Sequence, residues 1–326
     1  MDEELPFEKV KREIFVKKES ETNYDYGQDP EKRSVEELIN YGIINLNKFS
    51  GPSSHQVSDY VQRILNIGKS GHSGTLDPKV TGVLPIALGK ATRIVQTLLK
   101  SGKEYVCLMH LHKEIEEDLI KKTAEEFVGK IEQLPPVRSA VKRQLRTREI
   151  YYLNILEIQN REVLFKIGCE AGFYVRKFCY DFGIKLKTQA HMAQLIRIKA
   201  GPFTDKTWKT LHDLKDSYIL YKEKGEEKYI RQIILPIEKA VEHLPKIWVL
   251  DSAVSTLCHG ANLSIPGISK YNNFNKDEIV AILTLKDELI CLGNTQVDFE
   301  YVKNNDKGKV IKVNKVFMER NLYPKL

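Results

Sequence analysis

The segment from Gly71 to Pro85, Gly-His-Ser-Gly-Thr-Leu-Asp-Pro-Lys-Val-Thr-Gly-Val-Leu-Pro, sets the tightest limit on how this chain can fold. Gly68 to Pro78 is dense in Gly, Ser and Thr and reads as a loop. Its glycines permit tight turns, and Pro78 stiffens the backbone directly after Asp77. The apolar run Val83 to Leu88 follows at once. One carboxylate, that of Asp77, is thereby expected on a rigid polar loop joined to a buried element. An average loop aspartate does no more than close an Asx turn on its own backbone.

Short elements of both kinds surround the loop. Gly42 to Leu46 has a strand pattern, and Ser53-Ser54 caps a helix whose apolar positions Val57, Tyr60, Val61, Ile64 and Leu65 follow helical spacing. Ala91 to Leu99 and Lys121 to Val128 read as helices, with a break at Pro135-Pro136. Glu104 to His112 reads as a strand with Tyr105, Cys107 and Met109 on one face. Tyr151 to Ile158 and Val163 to Gly168 pair across the turn Gln159-Asn160-Arg161. Phe173 to Phe182 is expected as a helix ended by Gly183, and Gln194 to Ile198 returns to strand. Without regular βαβ alternation, the fold class expected is α+β: a mixed, largely antiparallel sheet with helices. Beyond Pro245, short strands at 247–250, 278–283, 289–293 and 309–313 suit a small β-barrel.

At 326 residues the chain suits two domains rather than one core. We expect an N-terminal extension over 1–34, a larger domain over 35–245 and a barrel over 246–326. A formal charge of +7 favours a polyanionic partner. The five cysteines include no Cys-x-x-Cys pair, so neither a zinc knuckle nor a disulfide framework is expected. Met1 to Glu21 mixes acids and bases without an apolar core, and no run approaches bilayer length; a cytoplasmic protein without a membrane partner is expected. Gly68-Lys69-Ser70 lacks the earlier glycine of a phosphate-binding loop, since Arg63 stands there. His110 and His112 share a strand face, but no third ligand lies nearby at recognisable spacing. No metal, nucleotide or other cofactor is therefore expected.

The long string Gly71 to Gly82 resembles the signature of the TruB family of pseudouridine synthases, in its archaeal and eukaryotic dyskerin-like H/ACA branch. That resemblance implies that Asp77 is the essential catalytic residue and that His72 lies near the flipped nucleotide. Further matches fall in the same order. Lys103-Glu-Tyr-Val106 resembles the strand whose tyrosine, here Tyr105, stacks on the target base. Gly172-Phe-Tyr-Val-Arg-Lys177 resembles the segment whose arginine, here Arg176, pairs with the aspartate. His191 to Phe203 resembles the closing strand whose leucine, here Leu195, lines the base pocket. Asn45 to Val57 resembles the first motif and assigns Lys48 to the substrate site, although Phe49 stands where the family has proline.

The chemistry implied needs few groups. Pseudouridylation breaks a C–N glycosidic bond, turns the uracil and rejoins it through carbon, so one ionised carboxylate serves as nucleophile or base at the sugar. A guanidinium keeps that carboxylate charged, and an aromatic ring receives the flipped base. Lys142, Arg143, Arg146 and Arg148 form a dense cationic run suited to phosphates.

Lys246 to Leu263 resembles the opening of a PUA domain, an RNA-binding barrel, in which Gly260 and Ala261 would admit close RNA backbone. No long lysine-rich tail follows the barrel, which favours an archaeal-type enzyme. The resemblance implies tRNA, at uridine 55 of the TΨC arm, or ribosomal RNA selected by an H/ACA guide, as substrate. It implies small H/ACA proteins as further partners. The alternative is an RNA-binding scaffold of the same fold that has lost its chemistry; Asp77, Tyr105 and Arg176 occurring together argue against it.

Overall fold

The computed structural model describes residues 3–135 and 142–325. Pro136, the second half of the expected break, lies outside the described residues.

The chain opens with β1 (Ile14–Val16), α1 (Val35–Tyr41), β2 (Gly42–Lys48), α2 (Ser54–Leu65), β3 (Ser70–His72) and β4 (Thr81–Leu88). Next come α3 (Val95–Lys100), β5 (Lys103–Leu111), α4 (Glu117–Glu126), β6 (Gly129–Gln133), β7 (Arg146–Gln159), β8 (Glu162–Cys169) and α5 (Val175–Lys185). Then follow β9 (Ala190–Ala200), β10 (Phe203–Thr204), α6 (Leu211–Lys224), α7 (Glu227–Arg231) and β11 (Ile234–Pro236). The last third carries β12 (Lys246–Val249), α8 (Asp251–Cys258), β13 (Leu263–Ser264), β14 (Ile268–Asn272), β15 (Ile279–Leu283), β16 (Leu289–Thr295), α9 (Phe299–Asn304) and β17 (Lys309–Val316).

Two sheets organise these elements, as the α+β expectation requires. The first runs β11-β2-β4-β9-β5-β8-β7-β6, with β3 added to β4 and β10 to β9. Its pairings are antiparallel except between β4 and β9, which meet in parallel at Thr81–Ile196 and Gly82–Arg197. That short seam joins the two halves of the sheet. Gly82 is needed there: its φ is +107°, and a Cβ would stand 2.2 Å from the Arg197 carbonyl oxygen.

Local chemistry explains the helices that flank the seam. α2 starts at a reciprocal capping box between Ser53 and Gln56, and Asn66 closes it in the left-handed region. Its Val57, Val61 and Leu65 pack with Leu46, Leu84 and Ile86. α5 buries Phe178, Cys179 and Phe182 against Cys107, Phe165 and Ile167 on the other half. It runs past Gly183, contrary to expectation. A Cβ at Gly183 would stand 2.5 Å from the Ala190 nitrogen, so this glycine serves close packing on β9 and not helix termination. The turn comes later, at Lys187, with φ +55°. Within the expected loop Gly68–Pro78, Ser70–His72 form a short strand on β4. α4 begins earlier than its apolar spacing indicates, at Glu117.

The second sheet, β1-β14-β12-β15-β16-β17-β13, builds the C-terminal barrel. Its edge strand β1 comes from the first 34 residues. This extension straps both bodies: Glu3 accepts from Asn154 at 2.7 Å, Glu8 pairs with Lys199 at 2.8 Å, and Arg12 pairs with Glu278 at 2.7 Å. A shared core of Ile43, Val83, Phe203, Trp248, Leu283 and Phe317 fuses the sheets. Deleting residues from Lys246 onward would strip that core open, so single substitutions are the usable probes of the barrel. No helix of the described residues is long and apolar enough to cross a membrane.

Candidate active site

The loop from Ser73 to Val80 is held from below by buried polar groups. Lys48 is 0% exposed, and its ammonium donates to the carbonyls of Phe49 (2.9 Å), Pro78 (2.9 Å) and Val80 (2.8 Å). Burial pulls its pKa below the ordinary lysine value, and the nearby charge of Asp77 opposes that shift. All three protons are committed to backbone, so Lys48 holds the loop in shape, whereas the motif had led us to expect it in the substrate site. Ser54, at the start of α2, accepts from Leu76 N at 2.8 Å and donates to Leu76 O at 3.1 Å. Gly51 N donates to Pro78 O at 2.9 Å, and Ser73 N to Pro85 O at 3.0 Å.

These clamps leave Asp77 at the top of the loop. Among the described residues its carboxylate turns to Arg176 and closes no Asx turn. The pair is half exposed, with side chains 51% and 57% accessible, and so is open to a ligand. Arg176 is the second residue of α5, whose apolar face fixes it over the sheet.

Tyr105 and Leu195 lie on the sheet face beneath α5. β5 and β9 pair Cys107 with Leu195 and Tyr105 with Arg197. Both tyrosine and leucine pack at the margin of the core that contains Phe178 and Cys179. His72 sits under the loop, its ring 4.7 Å from that of His55, with both nitrogens buried and lacking a partner among the described residues. Burial, helped by His55 and Arg197, pulls its pKa down to about 4, so the ring is neutral at neutral pH.

Arg197 was missed in the sequence, although it stands two residues from Leu195 and therefore on the same strand face. The signal was available: a cation alternating with apolar residues toward a core. Another neighbour also escaped notice. His191 brings its ring within 5.2 and 5.3 Å of His110 and His112, and Glu162 contacts His110 at 2.5 Å. The third histidine judged absent from the spacing thus arrives from β9, though among the described residues no group of three is arranged to hold a metal ion.

Of the cationic run, Arg143 is exposed, while Arg146 and Arg148 begin β7 half-buried. Arg148 pairs with Glu170 at 3.5 Å. Gly260 and Ala261 follow α8 on the barrel surface; Gly260 has φ +87° and open space where a Cβ would stand.

Comparison with known proteins identifies the family and the domains along the chain. The TruB family pseudouridylate synthase N-terminal domain matches residues 62–175, and the tRNA pseudouridylate synthase B C-terminal domain matches 176–242. The DKCLD domain matches 2–58 and the PUA domain 245–317. The chain is 55% identical, over 97% of its length and 96% of the relative's, to a protein of Pyrococcus abyssi named probable tRNA pseudouridine synthase B. The chain belongs to the TruB family. A Nanoarchaeum equitans relative of the same name is 51% identical over 99% of this chain and 92% of its own. Among solved structures, a Cbf5-Nop10-Gar1 complex matches with TM-score 0.93 and 53% identity, over 99% of this chain and 98% of the other. An H/ACA RNP bound to a substrate RNA containing 2'-deoxyuridine matches with TM-score 0.92 and 50% identity, over 99% of each chain. As a TruB-family enzyme the chain is an RNA pseudouridine synthase, an isomerase, with a PUA domain at its C-terminal end.

Proposed function

We propose that this synthase isomerises uridine in tRNA, at position 55 of the TΨC arm, and in ribosomal RNA as the catalytic subunit of an H/ACA guide ribonucleoprotein in the cytoplasm. The observation that carries the reading is the exposed pair between Arg176 of α5 and Asp77, which sits on a loop whose backbone is tied down by buried groups. Asp77 attacks the sugar or acts there as a base; Arg176 holds it ionised and aimed. Tyr105 stacks on the flipped uracil, Leu195 lines its pocket and His72 lies beside the nucleotide. The catalytic domain spans 35–245 and the RNA-binding domain 246–326, with 1–34 as the strap.

Arg143, Arg146 and Arg148 bind phosphates, while Gly260 and Ala261 receive the guide RNA. Support for the guide comes from the matched structures, one an H/ACA RNP with substrate RNA and one a complex with Nop10 and Gar1. Small proteins of that kind are the proposed partners. The relatives' name supports tRNA as a second substrate.

The reading is tested by turnover of the purified chain on a TΨC-arm RNA alone, and on a ribosomal fragment with and without a matching guide. Guide-dependent turnover of the fragment is expected, along with guide-free turnover of the arm. No turnover on either would leave only the scaffold reading. Both reactions should proceed fully in excess EDTA and without nucleotide, on RNA whose fold is held constant by separately controlled salt. Loss of activity reversed by zinc would overturn the cofactor-free chemistry.

Ala261→Glu places a carboxylate where we put RNA backbone, without straining the chain. Guide affinity should fall about ten-fold, equivalent to about 1.4 kcal/mol, with turnover of the bare arm within about two-fold. Unchanged guide affinity in a filter-binding titration would remove Ala261 from the interface.

A further inference from the structure

Arg197 is a buried cation directly behind the active-site loop. A β-bulge directly follows it: Glu104 stands opposite Lys199, yet the next residue, Tyr105, stands opposite Arg197, so Ile198 is the extra residue of β9. Up to the bulge the register runs unbroken from Cys107–Leu195 to Tyr105–Arg197, so Arg197 shares the face of Leu195. On its second flank Arg197 pairs with Gly82, the glycine whose missing side chain lets the seam close.

The side chain is 1% exposed. Its Nε donates to Val83 O at 2.7 Å, and its Nη2 to Gly74 O at 3.2 Å, inside the loop that presents Asp77. Tyr105 stands directly opposite Arg197 across the β5–β9 pair. Among the described residues no carboxylate pairs with it. Burying an unpaired charge is expensive, and a neutral amide would satisfy two carbonyls at far lower cost. The charge itself therefore calls for a use.

We propose that Arg197 is a positioning residue for the isomerisation, donating to the Tyr105 oxygen and to the Gly74 carbonyl so that tyrosine and Asp77 loop keep one fixed geometry. This rests on the base-contacting role given to Tyr105 above. A phenol that accepts from Arg197 has its own hydrogen free for another acceptor. Burial raises the Tyr105 pKa, while the charge of Arg197 opposes that rise. The arginine thus sets where the phenol sits and how readily it shares its proton.

The test places a fluorinated tyrosine at position 105 of the full chain, reads its ionisation by absorbance, and measures kcat and KM on substrate RNA with ordinary Tyr105. In a folded Arg197→Gln variant the phenol midpoint should rise by about one pH unit or more. Its kcat should fall about 100-fold, with KM within about three-fold. Arg197→Lys keeps the charge but not the fork; its midpoint should stay within about half a unit, with kcat down about ten-fold. An unchanged midpoint in folded Arg197→Gln overturns the role of Arg197 and leaves that of Tyr105 standing. If Arg197→Gln does not fold, Arg197→Lys decides, and a wild-type kcat there overturns the proposal. Tyr105→Phe turning over at the wild-type rate would show that the hydroxyl is dispensable and overturn the proposal, whereas Tyr105→Ala turning over at that rate would defeat the underlying reading of Tyr105.

Discussion

Asp77→Asn should lower pseudouridine formation by roughly 10⁴-fold or more, as loss of a sole reacting group does elsewhere. RNA affinity should stay within about three-fold, because phosphate contacts away from the loop supply most of it. The substitution keeps volume nearly constant and removes only the charge. The loop should survive it, since its clamps run through backbone atoms of Leu76, Pro78 and Val80 and not through the aspartate side chain. Single-turnover assays with parallel binding titrations separate the two quantities. Residual turnover near wild type would show that another group does the chemistry.

Lys48→Met should have the second largest effect, through a different route. The buried ammonium joins three carbonyls, and methionine fills similar space without donating. The Phe49 and Val80 carbonyls lose this donor and Pro78 O keeps only Gly51 N, so stability should fall by about 3 kcal/mol. The loop then relaxes, and a displacement of Asp77 of about 1 Å is enough to cost roughly 100-fold in rate. Thermal melts and single-turnover rates, taken below the variant's melting temperature, should both move. A rate near wild type alongside a lowered melting point would mean that the clamp serves stability alone.

Sequence and structure divide the site between them in a physically sensible way. Asp77 and Arg176 were legible because each sits in a long motif, and a helix start and a proline-stiffened loop constrain them locally. Ser53 as a helix cap and the β7–β8 hairpin were legible for the same reason: both are set by neighbours in the chain. Lys48 was found, but not its hold on the loop backbone, because a motif marks that a lysine matters and not which way its ammonium points. Arg197 escaped although its alternation with Leu195 marks its face, because only the folded sheet brings it to Gly74 and Tyr105. His191 joins His110 and His112 only once β9 lies beside β5. Gly183 looked like a helix stop because the strand it packs against is seven residues away and invisible to local rules.

The central claim is that this chain makes pseudouridine in RNA with Asp77. The most direct measurement maps pseudouridines, nucleotide by nucleotide, in tRNA and ribosomal RNA from cells lacking the protein and supplied with either the wild-type chain or Asp77→Asn at equal abundance. The account predicts that a set of pseudouridines vanishes without the protein, returns with the wild-type chain and stays absent with Asp77→Asn. Return of the same pseudouridines with Asp77→Asn would contradict it.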